Sequence, residues 1–232
     1  MSSITRNREQ YKNKIFIDKD DDKMNEKLIE ECRFCRIFDH DRNTEVVDNP
    51  ILENNDFMAI VSRGAIVKGW VLVIPRIHIY SMRKFYCDDA FIHFTNSIID
   101  MIREKYRKDC IIFEHGANCC NSLTSCGTNH AHLHVVAYDK SLLCDMKKDG
   151  LEWIQCDLNE IENIVGENEY WFYAERVRRL QNVRGYLHII RQPESQYFRK
   201  LIANKEGCIE KFSYKEFRFE ENERLTYETL MR

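Results

Sequence analysis

Glycine and proline are scarce, with 8 and 3 among 232 residues. That excludes a flexible linker or low-complexity chain, and most of the sequence should fold. No run approaches the roughly 20 apolar residues of a membrane helix. The opening MSSITRNREQYKNK has no apolar core, so no secretory signal is expected. Charge of one sign is also lacking. The formal net charge is -3, which argues against gross attraction to nucleic acid or to a membrane and leaves only local basic patches. Cysteine is plentiful, at 10 residues. Without an export signal these are expected as reduced thiols in a cytoplasmic protein, with metal binding open to a few.

The length allows one large domain, or a core domain with a substantial extension. The first stretch, to about residue 25, includes DKDDDK and is expected as a polar arm. KLIEECRFCRIF suggests a short helix running into a Cys-x-x-Cys turn. DFMAIVS and GWVLVIP look like buried strands, with Arg63-Gly64 and Lys68-Gly69 near the turn between them. Asp88 and Asp89 can cap a helix whose apolar positions are Phe91, Ile92, Ile98, Ile99 and Ile102. CIIFEHG and HAHLHVVAY read as two more strands. Beyond Asp139, LEWIQCDLNEIENIVG looks partly helical. EYWFYA and RGYLHII look like strands joined by the basic turn ERVRRLQNV. Pro193 is expected to start a helix, PESQYFRKLIAN. The charged tail FRFEENERLTYETLMR is ambiguous.

HAHLH concentrates three of the chain's 8 histidines. In a strand of period two, His130, His132 and His134 share one face, while Ala131, Leu133 and Val135 share the other. Imidazole titrates near neutral pH and serves as base, nucleophile or ligand. On spacing alone, a nucleophile with helpers, a chelating strand and a surface strand with incidental histidines all remain open.

Taken in order, CRFC, GWVLVIPRIH and HAHLHVV resemble the histidine-triad (HIT) family of nucleotide hydrolases and transferases, over roughly residues 32–139. FEHG and CGTNHAHLH look like a bacterial-type branch, and ESQYFRKLIA is similar to a segment of longer members. The resemblance implies an α+β fold, mostly an antiparallel sheet with a long helix, extended by a C-terminal hairpin and helix. It implies a HIT-like catalytic domain over 26–140, with 141–232 packed on it. It also implies cleavage of a nucleotide at the α-phosphorus through a covalent nucleotidyl-histidine. His132 matches the nucleophile, His134 the position beside the transferred phosphate, and His130 the position that orients the site or ligates metal.

The same resemblance places Gly127 and Thr128 as phosphate donors, and Phe57, Ile60 and Ser62 near the nucleoside. Where many members have a Gly-Gln-Ser-type segment, this chain has Cys126-Gly127-Thr128-Asn129. Where many have an Asn, it has Glu114-His115-Gly116. Glu114 beside a phosphate is electrostatically awkward unless turned away, and His115 is a candidate acid for the leaving group. Zinc-bearing members imply a structural Cys2His2 site from Cys32, Cys35, His78 and His130. Cys119, Cys120 and Cys126 form an alternative cluster. Family members often dimerise, so a homodimer is expected.

Arg176, Arg178, Arg179, Arg184 and Arg191 cluster with almost no compensating acid. Their default is a solvated turn. The sharper expectation brings Arg179, with Arg199 or Lys200 and the donors Ser195 and Gln196, to the distal phosphates of the substrate or to the backbone of an adenylylated nucleic acid. Two rival functions remain: a nucleotide-binding regulatory protein with little turnover, and a metal-dependent hydrolase.

Overall fold

The computed structural model describes residues 30–39, 45–119, 122 and 129–232. The polar arm, Gly127, Thr128, Cys120 and Cys126 lie outside the described residues. Eight strands form one sheet: β1 (Pro50–Glu53), β2 (Phe57–Val61), β3 (Trp70–Pro75), β4 (Cys110–Gly116), β5 (Leu133–Ala137), β6 (Ile154–Asp157), β7 (Tyr170–Val177) and β8 (Arg184–Ile189). Their order is β1-β2-β3-β5-β4-β7-β8-β6, and every pairing is antiparallel. The fold is α+β. Among the described residues, the helices that bear on the site are α1 (Arg33–Phe38), α2 (Asp89–Tyr106), α3 (Leu143–Met146), α4 (Ile161–Val165), α5 (Tyr197–Lys205) and α6 (Glu220–Leu230).

The sheet is buried on both faces because helices cover both. On one side α2 lays Phe91, Ile98, Ile99 and Ile102 against Val71, Val73, Leu133, Val135 and Ile112. The Asp88 carboxylate starts this helix by accepting from the amides of Ala90 and Phe91. On the other side, Trp70, Leu72, Ile74, Ile111, Phe113 and Val136 meet α1 and α5 through Phe34 and Phe198. Alternation along β3 and β5 sorts these two sets with period two. Central strands covered on both faces read as continuous apolar runs, which is why WVLVIP and CIIF were legible as strands.

The C-terminal segment continues the same sheet, because β7 pairs along β4 from Cys110 to Gly116. Gly116 permits this close approach: a Cβ there would sit 2.1 Å from the Tyr170 ring. Helix α6 holds the turn between β2 and β3. Glu223 accepts from the Gly64 amide at 2.5 Å, and Thr226 Oγ1 accepts from the Gly69 amide at 3.0 Å. Both glycines have positive φ, at 67° and 76°.

Four local expectations change. The strand of HAHLHVVAY begins only at Leu133. Ahead of it the Ala131 amide bonds Ile79 O at 2.7 Å instead of joining the ladder. LEWIQCDLNEIENIVG begins with β6 before α4, and only Cys156 of β6 is buried, so its alternation is faint. Pro193 stands four residues ahead of α5, whose N-cap is Gln196. The ambiguous tail forms α6, with Glu223, Thr226 and Leu230 on its buried side.

Candidate active site

His134 lies early in β5. Its cross-strand neighbours are Leu72 on β3 and Phe113 on β4. Phe113 stacks on its ring, centroids 4.3 Å apart. Trp70 Nε1–H donates to His134 Nδ1 at 2.9 Å. An indole nitrogen only donates, so Nδ1 must be the acceptor and the ring proton sits on Nε2. Burial, with the neighbouring His132, His115 and Arg199, pushes His134 well below its ordinary pKa. It is therefore a neutral imidazole with an N–H to offer.

His132 is oriented in the opposite sense. Its Nδ1 lies 2.8 Å from the carbonyl of His130. A carbonyl only accepts, so Nδ1 carries the proton and Nε2 keeps a lone pair. Burial lowers its pKa to about 4, against the His130 carbonyl bond, which raises it. The ring is neutral at pH 7 with an unprotonated nitrogen. The His132 and His134 rings are 4.9 Å apart. One presents a lone pair and its neighbour a proton, an arrangement suited to attack on an electrophile that carries a negatively charged oxygen.

His130 turns to different work. Its Nε2–H donates to Pro75 O at 2.8 Å, leaving the Nδ1 lone pair 3.4 Å from Cys32 Sγ and 3.5 Å from Cys35 Sγ. His78 Nδ1 is 3.3 Å from Cys35 Sγ. One ligand atom from each of these four residues lies within 4.8 Å of all the others. An S and an N ligand of a tetrahedral zinc are about 3.6 Å apart, so the cluster matches the size of a bound ion and could hold one. The contact with Cys35 pulls the Cys32 thiol down to about 2, helped by His130 and His78 and opposed by burial. Phe34 of α1 touches both the His130 and His132 rings, 5.7 and 5.6 Å away. The cluster thereby ties the N-terminal helix to the histidine segment. The eight described cysteines are free thiols, and Cys119 is exposed.

His115 follows Phe113 on the same face of β4. Its ring lies 6.4 Å from His134 and stacks on Phe198 of α5 at 5.5 Å. Burial lowers its pKa to about 4. Glu114, between them, points through the opposite face of the sheet. There it accepts from the Met82 amide at 2.6 Å and from the hydroxyls of Tyr86 and Tyr170. Burial raises its pKa against these three bonds. The awkward carboxylate is thus turned away from the histidines.

The remaining expected contacts divide by face. Ile60 pairs with Leu72, which pairs with His134, so Ile60 shares the histidine side. Ser62 is buried just beyond β2, and its amide bonds Trp70 O at 3.0 Å. Phe57 lies on the α2 side, against Phe85, Phe91 and Phe94. Ser195 and Gln196 lead into α5, three and two residues before Phe198, and the Gln196 side chain accepts from the Tyr214 amide. The basic turn does not reach the histidines. Arg179 bonds Asp100 on α2 at 2.9 Å, and Arg178 bonds both oxygens of Asp109 at 3.0 Å. Arg184 and Arg191 are exposed. Arg199 is buried beneath Trp70, its guanidinium 5.0 Å from that ring, while Lys200 pairs with Glu194. Trp70, Phe34 and Phe198 were not anticipated at the site. Only strand register brings Trp70 beside His134, although its alternation with Leu72 was a usable hint.

Residues 43–141 match the family model described as the HIT domain. No curated protein matches the chain. Among solved structures, a HIT-like protein from Bartonella henselae, described as involved in cell-cycle regulation, is 14% identical with a TM-score of 0.37, covering 48% of this chain and 82% of its own. A HIT-family member from Bacillus subtilis is 18% identical with a TM-score of 0.36, covering 51% and 94%. A histidine-triad protein from Clostridium difficile is 20% identical with a TM-score of 0.33, covering 48% and 93%.

Proposed function

Residues 43–141 of this chain match the HIT domain, and from that premise we propose that it is a HIT-family nucleotide hydrolase or nucleotidyl transferase working through His132. The observation that carries this reading is the bond from His132 Nδ1–H to the His130 carbonyl. It aims a neutral Nε2 lone pair away from the backbone. Nε2 attacks the α-phosphorus and a P–N bond forms. The bond from phosphorus to the leaving group breaks, and the leaving group departs with the electron pair and takes up a proton. Water or another acceptor then attacks phosphorus, and the P–N pair returns to Nε2.

His134 Nε2–H donates to a phosphoryl oxygen as charge builds there. His115 sits beside His134 on the same face; as a neutral ring it is the candidate hydrogen-bond donor to the leaving group, whose proton comes from solvent. Substrates of this class are dinucleoside polyphosphates, nucleoside phosphoramidates and adenylylated molecules. Zinc is the ion best suited to Cys32, Cys35, His78 and His130, and its role there is structural: it would clamp α1 against the histidine segment.

The test is a panel of adenosine and guanosine polyphosphates and phosphoramidates, incubated with wild type and with His132→Ala. Product from wild type alone, together with a trapped nucleotidyl adduct on His132, supports the reading. Tight nucleotide binding without turnover would favour the regulatory alternative.

A further inference from the structure

A pocket of about 560 Å3 opens at the other end of the sheet from the histidines. Its volume falls within the range of small-molecule sites. It is lined by residues 138–141, beyond the end of β5, and by Asp109 and Ile111 where β4 begins. Tyr138 is four residues beyond His134, about 14 Å along an extended strand. None of the described histidines lines this pocket.

Six cations line it: Arg103, Arg107, Lys108, Lys140, Arg176 and Arg178. Three acids face them. Asp109 is held by both Arg103 and Arg178, Asp139 by Lys108, and Glu175 accepts from the Tyr173 hydroxyl. Lys140 pairs with Glu206. Among the described residues, Arg107 and Arg176 have no ion pair.

Those two arginines also stand where the backbone favours another residue. Arg107 is the C-cap of α2, with φ 54°, a position that ordinarily goes to glycine. Arg176 has φ 57°. It lies in a bulge of β7, because the pairings Cys110↔Val177 and Ile112↔Ala174 leave both Glu175 and Arg176 opposite Ile111. The left-handed position of a bulge is likewise a glycine position, and a bulge re-aims a side chain. Each arginine accepts a left-handed backbone, and both residues line one pocket.

We propose that this pocket is a second anion site, built for a small ligand carrying a chain of two or more phosphates, with Arg107 and Arg176 as its grips. Guanidinium forks pair bidentately with phosphate oxygens. The Asp109-clamped Arg103 and Arg178 supply fixed positive charge beside them. The site does not depend on His132 or on any turnover there.

The test uses the full chain and inorganic tripolyphosphate, followed by calorimetry at constant ionic strength. The double variant R107G/R176G removes both guanidiniums and installs the residue each backbone position favours, so its Tm should equal or exceed that of wild type. Saturable binding to wild type and to His132→Ala, weakened about tenfold or more in R107G/R176G, is the expected result. Adenosine triphosphate in the same assay separates the sources. A loss seen with tripolyphosphate assigns the site to a bare phosphate chain, and a loss seen only with the nucleotide assigns it to a nucleotide's chain. Equal affinities of wild type and R107G/R176G for both ligands, or no saturable binding of either, would overturn the proposal.

Discussion

Acid should destabilise this protein partly through His115, and His115→Phe should remove that part. In the unfolded chain an imidazole titrates near 6.5, whereas burial holds His115 at about 4 in the fold. The folded state therefore binds fewer protons than the unfolded state throughout that interval. The stability tied to the neutral ring is fully present above the unfolded value and is lost as pH falls from 6.5 towards 4. Between pH 7 and pH 5 the loss from this one ring comes to about 2 kcal/mol, a sizeable share of a typical domain's 5–15 kcal/mol.

Phenylalanine keeps an aromatic ring against Phe198 and has nothing to titrate. Urea unfolding of wild type and His115→Phe, each at pH 7 and pH 5, isolates the term as a double difference. Contributions from groups that do not face His115 cancel in that difference, while His132 and His134, whose pKa values His115 also lowers, add to it in the same sense. The variant should lose about 2 kcal/mol less than wild type on acidification. An equal loss in the two proteins would refute the assignment of His115 as a buried neutral ring.

Trp70→Phe removes the donor that sets the His134 tautomer. It should lower kcat about tenfold or more with little change in KM, and cost about 1–3 kcal/mol of stability for the unmet buried acceptor; steady-state kinetics and chemical denaturation read both. Cys35→Ser should abolish bound metal, measured by elemental analysis of the purified protein, and lower Tm by several degrees; unchanged metal content would dispose of the site. Glu114→Ala leaves the Met82 amide and two tyrosine hydroxyls without their acceptor, so denaturant titration should show a loss of about 3 kcal/mol or more. Gly116→Ala drives a Cβ into the Tyr170 ring, and the β4–β7 junction should weaken by about 1–3 kcal/mol in the same assay.

The central strands and α2 were legible because their signals are local. An apolar run, a period-3.6 stripe and an Asp cap are written within a few residues of one another. β6 and α6 were not. β6 is an edge strand with one buried side chain, so its alternation has little to show. The buried face of α6 is polar. Glu223 spends its charge on Arg218 and on the Gly64 amide, and Thr226 on the Gly69 amide. A hydrophobic pattern cannot reveal a helix that docks through hydrogen bonds. The basic turn misled for a related reason: its acidic partners, Asp100 and Asp109, lie 79 and 69 residues away in sequence.

By itself the sequence determined the chemical inventory: three imidazoles at alternate positions, a Cys-x-x-Cys pair, and a histidine after an apolar strand. Tertiary structure alone decided what each imidazole does. The His130 carbonyl holds the His132 proton on Nδ1 by accepting from it, the Trp70 indole leaves His134 protonated on Nε2, and Pro75 O turns His130 towards the cysteines. It also sent Glu114 through the sheet and laid β7 along β4. A tautomer follows from the partner facing each ring nitrogen. Trp70 and Pro75 lie some sixty residues from the rings they orient, so those partners were settled only when the sheet closed its register.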